Sequence, residues 1–331
     1  VSTLRPVRRA TPGILVAGVT AMISGVSVYV NSFGVRSYSS PAVYTTAKNL
    51  VATMALVVVT TLAFSLRHRR PGSAQDRFVG APRAGNERRL GVRQWLGLSY
   101  VGVIGGGLAF VLFFNGLAIS QPASAAFWRD SLVLWVAVLA VVFLRERLRW
   151  WNVAAMVLLV AGEIVVTGGV GQLGANRGEL FVVASSVLWA GEVVVARRLL
   201  TSLAPATLSI VRMGVGALTL VVYLGVTGSL SMLVSLSAHQ MTWALWTGML
   251  LAAYVATWMS ALARARALDV TSILVASALI TWSLQLVAGT VVPAPNSLGL
   301  VLIALGAGLL VWAARRRPDG SLSTNTIGVR P

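Results

Sequence analysis

Cysteine is absent, lysine occurs once, at Lys48, and histidine twice, at His68 and His239. The missing thiols exclude disulfides and thiolate metal sites, and two histidines in loops far apart in sequence make no metal site. Acidic residues number nine against 27 basic ones, and all charged types together make 11% of the 331 residues, where ordinary soluble domains carry about 25%. Water is therefore not the main solvent of this chain. Nucleotide-binding loops, metal-ligand spacings and a Ser/His/Asp order are missing as well, so the sequence predicts neither an enzyme nor a cofactor, and any work done must draw on a gradient.

Long apolar stretches fill the space that the charges leave. Windows of membrane-spanning length lie at 13–35, 41–66, 95–118, 122–144, 148–169, 178–198, 205–227, 242–263, 271–292 and 296–314, since about 20 apolar residues at ~1.5 Å each cross a hydrocarbon core. The expected fold class is an all-α integral membrane protein of ten transmembrane helices. Short Pro-containing turns at Pro41, Pro122, Pro205 and 292–295 make successive helices antiparallel hairpins. The first window follows Arg5, Arg8 and Arg9 as a signal peptide would, but it is longer than an h-region and lacks a convincing cleavage site. It reads as the first membrane helix, after a cytoplasmic segment 1–12.

A net charge of +18 would suit nucleic acid or an anionic surface, so the positions of the arginines decide. Of 26 Arg, 22 fall in the N-terminus, the loop 67–94, the turns holding Arg145, Arg197 and Arg264, and the tail 315–331. Only Arg36 and Arg177 fall in the alternate turns. The positive-inside rule then puts both termini and the large loop in the cytoplasm, in a plasma membrane. Basic charge spread over every turn of one side is a topology signal, so the expected partner is the lipid bilayer and not nucleic acid. Loop 67–94 and the tail 315–331 are too polar and too broken by Gly and Pro to pack a core, and read as mobile.

The chain also repeats itself, turned over. Pro41-Ala42 precedes Lys48 as Pro205-Ala206 precedes Arg212, and these prolines come 28 and 27 residues after the helix-opening Gly13 and Gly178. Residues 13–169 and 178–314 thus read as two five-helix copies, and an odd helix number makes the second enter from the other side. Equivalent turns carry opposite bias, as inversion requires: Arg36 against Arg197 and Arg198, and Arg145 with Arg147 against the uncharged 292–296. Inverted repeats are characteristic of secondary transporters, with a site between the halves near the midplane.

Several motifs come in one order: Phe114-Asn115-Gly116-Leu117-Ala118 leading into Pro122-Ala123-Ser124-Ala125-Ala126, the turn Leu144-Arg145-Glu146-Arg147-Leu148, the Leu-rich 157–165 with Ala161-Gly162, and the basic Lys48 and Arg212. In that order the chain resembles the EamA branch of the drug/metabolite transporter superfamily over residues 13–314. The resemblance implies a ten-helix secondary transporter that moves a small polar or amphipathic metabolite by alternating access, with export as the family-level expectation. Two departures stand out. The family's Pro in the middle of helix 4 is missing, with Arg129-Asp130 one turn earlier, and the second copy lacks the Glu-Arg-Leu turn. The alternative of another class is a membrane scaffold or partner subunit that transports nothing.

Charges inside the windows are the candidates for a site, because one at that depth costs about 3 kcal/mol unless it is paired or turned to a polar cavity. Depth from the helix ends puts Lys48, Arg129, Asp130 and Glu163 in an outer layer and Glu192 with Arg212 in an inner one, each neutral in sum. In one reading they meet substrate, paired carboxylate and guanidinium suiting a zwitterionic or polar solute, with Glu163 or Glu192 carrying a proton. In the other they are internal ion pairs or side chains snorkelling to the interface. Arg129 and Asp130 point ~100° apart on a helix and need not pair with each other. Arg212 reads as structural, and Asp269 as solvated beside Arg264 and Arg266. Trp128, Trp189 and Trp258, with Trp135 and Trp282, lie inside helices, away from the interfacial belt; they either line a cavity or pack against core and lipid. Gly102 and Gly105-Gly106-Gly107 predict close helix approach.

Overall fold

A computed structural model describes residues 11–68, 91–120, 128–146, 148, 150–166, 168, 176–289 and 295–315. The N-terminal arginines, most of loop 67–94, Pro122–Ala126, the Pro293 turn and most of the tail lie outside the described residues, as does the Trp282 side chain. Among the described residues every regular element is helical. The elements are α1 Thr11–Gly34, a 3₁₀ turn Val35–Ser37, α2 Pro41–His68, α3 Val92–Ser99, a π-helix Tyr100–Leu108 and α4 Ala109–Ile119. There follow α5 Leu132–Leu144, α6 Trp150–Val166, α7 Arg177–Leu199, α8 Pro205–Val226, α9 Leu230–Val234, α10 Ala238–Arg264, α11 Ala267–Leu274, α12 Ser277–Val287 and α13 Pro295–Arg315.

Among the described residues six helices are long and apolar enough to cross a membrane: Pro12–Ser37, Pro41–Leu66, Val92–Gly116, Arg177–Leu199, Pro205–Val226 and Ala238–Arg264. Three shorter apolar stretches among the described residues are Trp150–Val166, Ala267–Thr281, which is broken between two helices, and Ser297–Leu309. Large apolar side chains such as Leu15, Met54, Phe64, Val138 and Trp246 stay exposed on the outside, a surface that suits lipid and not water. The chain is a multi-pass membrane protein.

Two expectations about elements change. The window 271–292 is not one helix: it breaks at Val275–Ala276, where the Ala276 N–H bonds the Ile273 carbonyl and the Leu279 N–H bonds the Ala276 carbonyl, both i→i−3 links that tighten and end an α-turn. The histidines are not in loops either. His68 ends α2, and His239 stands in the first turn of α10 because Ser237 and Gln240 form a reciprocal capping box that starts the helix ahead of its apolar run.

The core is asymmetric along the bundle. Its main cluster joins helix ends on one side, through Ala17, Leu98, Leu199, Leu208, Leu262 and Ala267. The other side holds a smaller cluster of Tyr38, Val43, Tyr44 and Leu224. Backbones meet where the glycines allow it. A methyl group at Gly106 would strike the Arg212 carbonyl and Gly216 of α8, and Gly162 of α6 faces the Gly299 carbonyl of α13.

Candidate functional site

A cavity of about 420 Å³ lies inside the bundle, within the ~300–1,000 Å³ typical of small-molecule sites. Its lining comes from the C-terminal half of α1, the first turns of α2, α4, residues 129–133, α7, α8, α10 and the broken α11–α12. On α1 the polar Ser24, Ser27 and Asn31 share one face by their spacing and all turn to the cavity.

Lys48 projects from α2 with its Nζ 3.0 Å from Asn31 Oδ1. The same oxygen accepts the Tyr44 hydroxyl at 2.5 Å, while the Asn31 amide donates to the Ser27 carbonyl at 2.6 Å, so the amide is oriented on both sides. The ammonium lies 5.0 Å from the Tyr44 ring centroid and 6.0 Å from that of Phe114, within cation–π range. Deeper in, Arg212 of α8 grips Glu192 of α7 through a two-pronged fork, Nε to Oε1 and Nη2 to Oε2. Both are buried, and such a fork satisfies charge and geometry together. A methyl at Gly105 would collide with the Glu192 carboxylate, so the π-helix must pass there without a side chain. Aromatic walls complete the space. Trp189 meets Phe110 and Phe113 at 5.2 and 5.6 Å between centroids, and Tyr254 stacks on Trp258 at 6.1 Å.

The candidates fall into place unevenly. Lys48, Arg129, Asp130, Glu192, Trp189 and Trp258 all line this one cavity, and so does Arg212, so the two charge layers meet in a shared space. Arg129 and Asp130 do pair, at 2.6 Å. Divergence along the helix is overcome by the reach of the arginine and by a local turn at Ser131. Glu163 is outside the lining, buried behind this pair, with which it interacts electrostatically. Trp128 is outside the lining too, and its carbonyl accepts the Ser131 and Ser186 hydroxyls. Trp135 donates to Ser131 Oγ and packs on the main core. Asp269 is not solvated: it is 9% exposed, because α11 folds into the bundle and buries Ala267 through Ile273. Asn31, Tyr44, Tyr254 and the Phe110-Phe113-Phe114 face were not among the candidates; the i, i+3, i+4 spacing of the phenylalanines was the available signal.

At the end opposite the α1–α2 turn, polar links reinforce the apolar core. Glu146 accepts the Ala267 N–H at 3.1 Å and pairs with Arg266 at 3.3 Å, tying the end of α5 to the start of α11. Arg198 donates to the Phe143 carbonyl at 2.5 Å and Gln94 to Ser202 Oγ at 3.0 Å.

Residues 11–168 match the EamA-like transporter family, part of the drug/metabolite transporter superfamily. A crystal structure described only as that of a protein is similar with a TM-score of 0.70 at 18% identity, over 91% of this chain and 98% of its own. That likeness concerns the fold alone. No curated protein matches the chain.

Proposed function

We propose, for a chain whose residues 11–168 match the EamA-like transporter family, that it is a secondary active transporter whose central cavity carries a small polar or amphipathic metabolite by alternating access. It has ten membrane helices in two inverted five-helix repeats, 13–169 and 178–314, with both termini on the cytoplasmic side of the plasma membrane, and it exports. One observation carries the reading. An apolar bundle retains two ion pairs and an ammonium around a cavity large enough for a solute, and charges kept inside a membrane domain mark solute or ion pathways. Two further features support it. The lining lies toward the α1–α2 turn while the other end is packed shut, and a broken helix borders the cavity, where irregular backbone is tolerated at membrane depth.

Purified protein in liposomes is expected to show gradient-dependent flux of at least one solute from a broad metabolite panel, and that solute should raise the melting temperature of the detergent-solubilised protein. No flux across the panel would leave a non-transporting scaffold. Glu163 is the proton carrier in this scheme, since Glu192 is committed to Arg212. Glu163→Gln should abolish the response of flux to a pH gradient with solute binding retained, and an unchanged pH response removes Glu163 from the mechanism.

A further inference from the structure

We infer that the solute is an organic monoanion, with its acid group on Lys48 and an aromatic or other flat apolar body against Phe110, Phe113 and Trp189. This deepens the transporter reading and rests on it. Among the described residues three cations line the cavity: Lys48, Arg129 and Arg212. Glu192 neutralises Arg212 through a fork on its Nε and Nη2, with Nη1 turned to the Met213 sulfur, and Asp130 neutralises Arg129, with Glu163 adding a second carboxylate within electrostatic reach.

Lys48 differs from both. Among the described residues no carboxylate lies within ion-pair distance of it. Its neighbours are the neutral Asn31 oxygen and two ring faces. Lys48 is 9% exposed, and one amide oxygen cannot satisfy three N–H donors. A buried charge in that condition gains from any anion that reaches it.

Among the described residues the two lining carboxylates, by contrast, are already engaged, so neither is spare for a ligand ammonium. That selects against cations and against a zwitterion held at both ends. Phe114 lies beside Lys48 and begins the aromatic wall that runs through Phe113 and Phe110 to Trp189. Acid group and apolar body therefore fit side by side.

Three probes of one skeleton test the charge: 3-phenylpropanoate, its amide and 3-phenylpropylamine, each added at millimolar concentration to the solubilised wild-type protein. The acid alone is expected to raise the melting temperature, Lys48→Gln to weaken it at least tenfold, and Lys48→Arg to keep most of the response. No response to the acid, an equal response to the amide or amine, or acid affinity within twofold in Lys48→Gln overturns the assignment. If Lys48→Gln does not fold, the wild-type comparison of the three probes decides. Solute flux from the wider panel separates the two readings: flux without acid selectivity sinks the anion assignment alone, and no flux of anything sinks transport as well.

Discussion

Glu192 and Arg212 sit on adjacent helices and remove each other's charge from the membrane interior. Truncating one partner leaves the other buried and uncompensated, which costs about 3–5 kcal/mol, whereas replacing both by apolar side chains is often close to neutral. Glu192→Ala is therefore expected to lower the melting temperature sharply. Glu192→Met combined with Arg212→Met should recover most of the stability but not the flux, as chemical denaturation and liposome assays on the same preparations would show. A double variant that transports normally would make the pair purely structural. These residues were legible in the sequence because a charge in an apolar window stands out. Asn31 and Tyr254 were not, since neutral polar and aromatic side chains occur in any membrane helix.

Elements show where the backbone departs from a plain helix. The α11–α12 break borders the cavity and the π-segment Tyr100–Leu108 packs against its lining residues Glu192 and Trp189, and hydropathy revealed neither, because Val275 and Ala276 are as apolar as their neighbours. The start of α11 depends on Glu146, which comes from the turn after α5. Glu146→Ala should cost ~1–2 kcal/mol, the usual scale of a lost helix cap, and should loosen the closed end. With no native cysteine in the chain, a single cysteine at Ala265 reports this directly. Its maleimide labelling is expected to quicken in Glu146→Ala, and an unchanged rate would mean that the link holds nothing shut. The Leu144–Leu148 turn was legible as a motif, but its partner 120 residues on was not.

For the whole molecule, the proposed orientation makes a direct demand. Cysteine at Ser39, exposed in the turn between α1 and α2, should react with a membrane-impermeant maleimide on intact cells, and cysteine at Thr201, exposed between α7 and α8, only after permeabilisation. The reverse pattern overturns the orientation, and equal labelling of both overturns the alternation of turns.

Composition and order along the chain sufficed for the solvent, the family and the charged candidates, because hydropathy, arginine bias and short motifs are properties of a line of residues. Tertiary structure alone decided which charges meet. Helix rotation and depth bring Asn31, Lys48 and Phe114 to one wall, fork Arg212 onto Glu192, seat Glu163 behind Arg129 and Asp130, and bury Asp269. Those contacts arise from helix faces pressed together at glycines such as Gly106 and Gly162, and close packing between segments distant in sequence has no counterpart in a one-dimensional pattern.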